Sequence, residues 1–366
     1  MRIVLDLRIY GPRFGGLGRY NQKLLEFLVK HDQDNQYIVL FKNKIKIDLP
    51  DNFQIEIAPY HWYSLAEQIF LPRLLRKLKP DLVHFPHFNV PIFYRDKFVV
   101  TIHDLIMTKF PSVRTSTLSK WFFVLKRLAY KITINSAIKR ANKIIAVSQF
   151  TADDIKQYFK LSEQQAQKIK VVHEGFTQAV ANDKEKKNLP NNFLLYVGNA
   201  YPHKNLEFLI NAFAEWQKEH LDFHLILVGN KNYFYQRLEE YVQNNFSSIK
   251  DKIIFPGFVP DEELVTYYKQ AKIYVFPSLY EGFGLPPLEA MAYALPVLSS
   301  KSSCLPEILG DAVLYFNPKD KKDFRIKLDQ ILTDQNKREA LIKRGSEQIK
   351  KYSWDKMAKE IINIYN

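Results

Sequence analysis

Short apolar runs alternate with longer stretches of helical periodicity, and the alternation occurs twice along the 366 residues. In the first series Ile3-Val-Leu5, Tyr37-Ile-Val-Leu-Phe41, Leu82-Val-His-Phe85, Phe98-Val-Val-Thr-Ile102 and Lys143-Ile-Ile-Ala-Val147 read as strands, with helices over 20–30, 65–78 and 118–140 between them. The second series opens with Phe193-Leu-Leu-Tyr-Val197 and continues through Phe223-His-Leu-Ile-Leu-Val228, Ile253-Ile-Phe255 and Ile273-Tyr-Val-Phe276. Strands that alternate with helices form parallel sheets, because each parallel strand needs a long crossover to reach it. The expected class is α/β. The length exceeds the roughly 200 residues usual for one domain, so two domains with a cleft between them are expected. The polar stretch Ala181-Asn-Asp-Lys-Glu-Lys-Lys-Asn188 before Pro190 separates the two series. The expected division is a first domain over 1–180, a linker over 181–190, a second domain over 191–350 and a terminal helix over 351–366. In that helix Trp354, Met357, Ala358, Ile361, Ile362 and Tyr365 recur at spacings of three and four, which leaves one apolar face in need of a partner.

Composition removes several classes. No apolar run reaches the 18 or so residues of a membrane span, and Met1-Arg-Ile-Val-Leu-Asp6 runs straight into a strand, without the apolar segment of a secretory signal. The single cysteine, Cys304, permits no internal disulfide and fits a reducing cytoplasm. The 53 Lys and Arg against 39 Asp and Glu give a formal charge of +14. That balance favours anionic partners such as nucleotides, lipid headgroups or nucleic acid, although solvated lysines alone would produce it. The charges form no single basic run and no nucleic-acid-binding module is visible, so nucleic acid is not an expected partner.

Only 12 glycines are present, where about 7% of residues, roughly 26, would be usual. Gly11, Gly15, Gly16 and Gly18 cluster after the first strand, and Gly198, Gly229, Gly257, Gly282 and Gly284 follow later ones. They mark loops at strand ends, where open α/β sheets bind their ligands.

One of those loops carries the strongest chemistry. Glu281-Gly-Phe-Gly-Leu-Pro-Pro-Leu-Glu289 follows the run Lys272 to Pro277, so two carboxylates flank a glycine loop that opens a helix. Backbone N–H groups and the positive helix end suit a pyrophosphate, and the carboxylates suit sugar hydroxyls. Glu289 alone could still be just a favourable charge near the helix start, with Pro286 or Pro287 in the first turn, but the pair of glutamates with its loop favours the binding reading. Gly15-Gly-Leu-Gly18, before Arg19 and Tyr20, offers free N–H groups for a phosphate or sugar, or simply a tight strand-to-helix turn. Lys204, in the loop after Val197-Gly198-Asn199, can neutralise a diphosphate; at a helix start a lysine is otherwise unfavourable, though it could be merely solvated.

His103 and Asp104 follow a strand directly, where a histidine can bond a substrate hydroxyl near neutral pH; a satisfied structural histidine and a turn aspartate read the same way. His84 and His87 suggest a metal by type, but no carboxylate or cysteine completes a site, and no metal is expected. Trp121-Phe-Phe-Val-Leu-Lys-Arg-Leu-Ala-Tyr-Lys131 mixes aromatic and basic residues, as either a membrane-contacting helix or a core helix with solvated lysines would.

At these residues the chain resembles the retaining glycosyltransferases of the GT-B fold in family 4 (glycosyl transferases group 1), and within them bacterial mannosyltransferase-like members that build surface polysaccharides. The E-x7-E motif matches at Glu281 and Glu289, and ordered matches run from Gly15-Gly-Leu-Gly-Arg-Tyr20 through Val100-Thr-Ile-His-Asp104, Ala146-Val-Ser148, Val197-Gly198 with Lys204-Asn205, Pro256-Gly-Phe-Val259 and Pro277 to Leu285, ending at Tyr352-Ser-Trp354.

The resemblance implies two Rossmann-like domains with mostly parallel sheets facing a central cleft, the donor held mainly by the second and the acceptor by the first, and a terminal helix crossing back to the first. Carried over by position, Glu289 would bond the nucleotide ribose, Glu281 and His103 would contact the donor sugar, and Lys204 would hold the diphosphate. Gly198, Asn199, Gly257, Phe258, Phe283, Gly284 and Leu285 would line the donor site, with Gly15 and Gly16 approaching the diphosphate. Arg19, Tyr20 and Asp104 are acceptor-side candidates. Family members often have an arginine shortly after the strand glycine, where this chain has Asn199, so leaving-group stabilisation leans on Lys204 and the helix start.

The implied reaction is metal-independent transfer of a hexose, with retention and no required cofactor, from a nucleotide sugar to a glycan or lipid-linked acceptor. GDP-mannose is the first expected donor and a UDP-hexose the second. The expected setting is cytoplasmic, with peripheral contact to an anionic membrane as an additional partner. A sugar-nucleotide epimerase or phosphorylase on the same fold is the alternative.

Overall fold

The computed structural model describes residues 1–110, 120–178 and 188–366, and the side chains of 120–123 are not among them. The chain forms two compact units: Met1–Gly175 together with Ser353–Asn366, and Phe176–Tyr352. The first division thus falls ahead of the polar stretch; the expected linker 181–190 lies largely on 179–187, outside the described residues.

The first unit is a seven-stranded sheet of β1 (Arg2–Asp6), β2 (Gln36–Phe41), β3 (Phe53–Ile57), β4 (Leu82–Phe85), β5 (Phe98–Ile102), β6 (Lys143–Ala146) and β7 (Ile169–Val171). Its order is β3-β2-β1-β4-β5-β6-β7 and every pairing is parallel. The central strands β4 and β5 are buried along their whole length, as strands covered on both faces must be. Alternate side chains divide the core. Val4, Leu40, Val83, Phe85 and Val100 pack with Leu71 and Leu75 of the helix Leu65–Leu78 and with Ile134 and Ile138 of the helix Lys120–Arg140. On the other face Ile3, Leu5, Val39 and Val99 pack with Leu24, Leu25 and Leu28 of the helix Gly15–His31.

That second face also receives the terminal helix Trp354–Tyr365, through Trp354, Met357, Ile361 and Tyr365. Each large apolar side chain so buried is worth about 1.5–3 kcal/mol. Tyr365 adds a polar anchor, its hydroxyl 2.6 Å from His84 Nδ1, while His84 Nε2 lies 2.9 Å from Thr101 Oγ1. His84 is therefore a packing residue, and burial pushes its pKa down to about 3. The chain leaves this unit beside the point where it returns: a Cβ on Gly175 would lie 2.2 Å from the Trp354 nitrogen.

The second unit is a six-stranded parallel sheet of β8 (Phe193–Val197), β9 (His224–Val228), β10 (Ile253–Gly257), β11 (Ile273–Phe276), β12 (Val297–Ser300) and β13 (Leu314–Phe316), in the order β10-β9-β8-β11-β12-β13. Both sheets have the Rossmann-like order, in which the strand sequence reverses once, between β1 and β4 in the first and between β8 and β11 in the second. Connections leaving those strand ends diverge and open a crevice within each unit. Among the described residues no helix is long and apolar enough to cross a membrane.

Candidate functional site

In the second unit the reversal point gathers the residues singled out from sequence. Strand β8 ends at Val197, and the loop beyond it is held from below: Tyr235 Oη donates to the carbonyl of Gly198 at 2.8 Å and Tyr196 Oη to that of Asn199 at 2.8 Å. Asn199 Oδ1 accepts from the N–H of Tyr201 at 3.3 Å, so its side chain closes a local turn. A short 3₁₀ turn, Pro202–Lys204, then presents Lys204, and Asn205 adopts a left-handed backbone with φ of +60°.

Lys204 Nζ lies 2.6 Å from Glu281 Oε1, and the two side chains are 12% and 9% exposed. Their backbones are fastened to each other. Leu279 N–H donates to the carbonyl of His203 at 2.7 Å, and Asn205 Nδ2 donates to those of Pro277 at 3.2 Å and Pro318 at 2.9 Å. Glu281 N–H in turn donates to Ser303 Oγ at 2.9 Å. Burial, followed by the adjacent Lys204 charge, pushes the pKa of His203 down to about 4, against a partly offsetting pull from Glu281, so His203 is neutral at physiological pH.

Beyond Glu281 the chain turns at Gly284 into the helix Leu285–Ala292, with Pro286 and Pro287 in its first turn. Gly284 has φ of +93°, and a Cβ there would lie 2.9 Å from Leu305 Cδ2. Glu289, in the second turn, accepts from Tyr268 Oη at 3.1 Å. Phe283 points into the core, edge-on to Tyr352, and its carbonyl accepts from the Cys304 thiol at 3.3 Å. Gly257 ends the edge strand β10, where its carbonyl accepts from Gly229 N–H at 3.1 Å and the stem of Lys231 covers it. Phe258 beyond it is exposed. Lys204, Glu281, Gly198 and Asn199 thus come from the two adjacent strand ends at the reversal point, Glu289 from the helix that follows, and Gly257 and Phe258 from two strands away.

In the first unit Gly15 and Gly16 form the first turn of the helix Gly15–His31, rather than a loop ahead of a helix beginning at Tyr20. Their N–H groups are among the four that a helix start leaves without intrahelical partners. Gly18 belongs to the same helix, and a Cβ there would lie 2.1 Å from the Gly11 carbonyl oxygen. Arg19 is half-exposed, whereas Tyr20 is buried, edge-on to His103 at 4.6 Å and to Trp354 at 6.3 Å. Asp104 Oδ1 accepts from the N–H of Ile106 at 2.8 Å, the bond of a turn aspartate.

His103 itself is held at both ring nitrogens. Nδ1 lies 2.9 Å from Glu174 Oε1 and Nε2 3.0 Å from the carbonyl oxygen of Pro86. Burial alone would lower its pKa, but the Glu174 carboxylate, with help from the Pro86 carbonyl, outweighs burial and raises it. With an acceptor against each nitrogen the ring is best satisfied as an imidazolium donating twice.

The sequence reading missed Glu174, and it also missed a buried network at the reversal point of the first sheet. Arg8 Nε and Nη2 donate to the two oxygens of Asp6, each at 2.7 Å, and Nη2 also donates to Glu67 Oε1 at 2.6 Å. Asn89 Nδ2 donates to both Glu67 oxygens, at 2.8 and 2.9 Å. Asp6, Arg8 and Asn89 border a cavity of about 20 Å³, room for a water or a single hydroxyl. His87 Nδ1 and Asn21 Oδ1 have no hydrogen-bond partner among the described residues. Arg8 sits two residues past the first strand, Asp6 is that strand's last residue, and Glu67 follows a Ser64 cap by three; only the strand-end position of Arg8 and Asp6 could have marked them.

Two sequence families match the chain. Residues 14–178 match the family described as Glycosyltransferase Family 4, and residues 178–348 match Glycosyl transferases group 1. Among curated relatives, the serotype-specific mannosyltransferase WbdA of Escherichia coli is 31% identical over 97% of this chain and 46% of its own length. The chain therefore spans about half of that relative. The O-antigen chain mannosyltransferase B of Escherichia coli is 29% identical over 80% of this chain and 75% of its own. Among solved structures, the sucrose-phosphate synthase of Thermosynechococcus elongatus superposes with a TM-score of 0.77 at 19% identity, covering 100% of this chain and 98% of that one. The chain belongs to the family 4 glycosyltransferases of the GT-B fold, with the group 1 region as its second unit.

Proposed function

We propose that the protein transfers a hexose from a nucleotide diphosphate sugar to a hydroxyl of a glycan or lipid-linked acceptor in surface polysaccharide synthesis, with retention at the anomeric carbon and without a metal. The observation that carries this reading is the Lys204–Glu281 pair at the reversal point of the second sheet, followed by Glu289 in the next helix. A lysine beside a helix start suits a diphosphate, and the two carboxylates suit sugar and ribose hydroxyls. The mannosyltransferase relatives make mannose the first sugar to test, and GDP-mannose is our first donor, with a UDP-hexose the second.

In this mechanism the bond between the anomeric carbon and the β-phosphate oxygen breaks while the acceptor oxygen bonds that carbon on the same face. The acceptor proton passes to the departing phosphate. Negative charge growing on that phosphate is stabilised by Lys204 and by N–H groups at the start of the helix Leu285–Ala292. In the first unit His103 is a fixed positive charge rather than a base, since neither ring nitrogen is free to accept a proton.

Membrane contact belongs to the same proposal. Val124, Leu125, Leu128 and Ile132 are exposed along the helix Lys120–Arg140, interleaved with exposed Lys126, Arg127 and Lys131. Apolar side chains among basic ones suit an anionic bilayer surface. Co-sedimentation with anionic but not neutral liposomes is expected; equal recovery with both, or none with either, contradicts it. The free, buried Cys304 suits the cytoplasmic face.

A thermal-shift panel of GDP, UDP and ADP with their sugars tests the donor. A ligand at 100 times its dissociation constant stabilises by about 2.7 kcal/mol. One nucleotide sugar should raise the melting temperature well beyond the others. A flat panel contradicts the proposal.

A further inference from the structure

The cation at the proposed donor site has a carboxylate partner within the protein itself. Lys204 is paired with Glu281 at 2.6 Å, both side chains are close to nine-tenths buried, and the segments bearing them are tied together by backbone bonds. The pair cannot drift apart with its loops. It opens only when the side chains rotate, so a diphosphate that takes Lys204 takes it from Glu281.

We infer that Glu281 makes the site select nucleotide sugars over the corresponding free nucleoside diphosphates. This rests on the donor site proposed above. A free nucleoside diphosphate gains Lys204 but leaves a mostly buried carboxylate without its cation and beside further negative charge, and both changes are costly. A nucleotide sugar brings the same phosphates together with hydroxyl groups, which donate short, charge-assisted bonds to a carboxylate. The sugar replaces the partner that the phosphates remove. Once the sugar has been transferred, that replacement is gone and Glu281 competes again for Lys204, which favours release of the diphosphate product. The neighbouring His203 is neutral and supplies no substitute cation.

Glutamine at this position keeps an oxygen for Lys204 but carries no charge to strand or to repel phosphate. Calorimetric titration of wild type and Glu281→Gln with GDP, GDP-mannose, UDP and UDP-glucose tests the inference. For the nucleotide that wild type binds, the free diphosphate should bind Glu281→Gln about tenfold tighter or more, because a like charge a few ångströms away is removed. The nucleotide sugar, which loses a favourable contact as well as the competition, should change by less than about threefold. The ratio of the two dissociation constants therefore collapses. An unchanged ratio, or a free diphosphate that binds the variant no better, overturns the inference and leaves the donor site standing. A wild type that binds none of the four ligands overturns the donor site and the inference together. Should Glu281→Gln melt as an unfolded protein, Glu281→Ala also removes the charge and must show the same collapse.

Discussion

Gly284 shows how much one residue decides at the candidate site. Its φ of +93° and the 2.9 Å approach of Leu305 Cδ2 to a Cβ built there leave no place for a side chain. Gly284→Ala should lose about 1–3 kcal/mol in urea unfolding, through backbone strain and a clash in a packed core. An unchanged midpoint would contradict this. His103 makes a second residue-level prediction. Glu174 raises its pKa, so the stability it contributes is fully present below the unfolded value of about 6.5 and is lost as pH rises through the folded value. Glu174→Gln should remove that loss: melting temperatures followed upward from pH 6 should fall more in wild type than in the variant. Parallel curves would show that Glu174 does not hold the charge. Glu281 and Lys204 were legible in the sequence because each stands beside a glycine or helix start after an apolar strand. Glu174 was not, since its partner is 71 residues away and nothing in its own neighbourhood signals a charge pair.

Among the elements, strands that form apolar runs were plain in the sequence, and those interrupted by polar residues were not. Phe98–Ile102, apolar but for Thr101, and Ile273–Phe276 are buried throughout. The edge strand Phe53–Ile57 carries Gln54 and Glu56, and β7 is three residues with a central lysine, so neither produces an apolar run. Val297–Ser300 is buried, yet half of it is serine. The terminal helix was legible as an apolar face, but what it covers follows only from the fold. Tyr365→Phe keeps that packing and removes one bond to buried His84, so it should cost about 1–3 kcal/mol. Trp354→Ala should cost about 3–5 kcal/mol. Chemical denaturation of both variants checks this, and a Trp354→Ala variant as stable as wild type would mean that the helix is not anchored by its apolar face.

For the whole molecule, repetition of one strand order gives each of the two units its own reversal point, and the candidate pair Lys204 and Glu281 stands at the second. Three histidines, His84 and His203 buried and His87 partly buried with its Nδ1 enclosed, set a limit on its acid range. Burial pushes His84 and His87 down to about 3 and His203 to about 4. Their stabilisation is present above the unfolded value near 6.5 and is lost as pH falls toward the folded values, at about 1.4 kcal/mol per pH unit for each. Unfolding free energy should therefore drop steeply from pH 6 to pH 4, and a flat profile over that window would contradict the assignment of neutral rings. The central claim is that Lys204 receives the diphosphate of a nucleotide sugar, and calorimetric titration of Lys204→Gln, whose amide still donates to Glu281, tests it most directly. If the claim holds, wild type binds one nucleotide sugar saturably and the variant binds it about tenfold to a hundredfold more weakly, as the loss of a charge-assisted contact to phosphate requires. Equal affinity in the two proteins would contradict it.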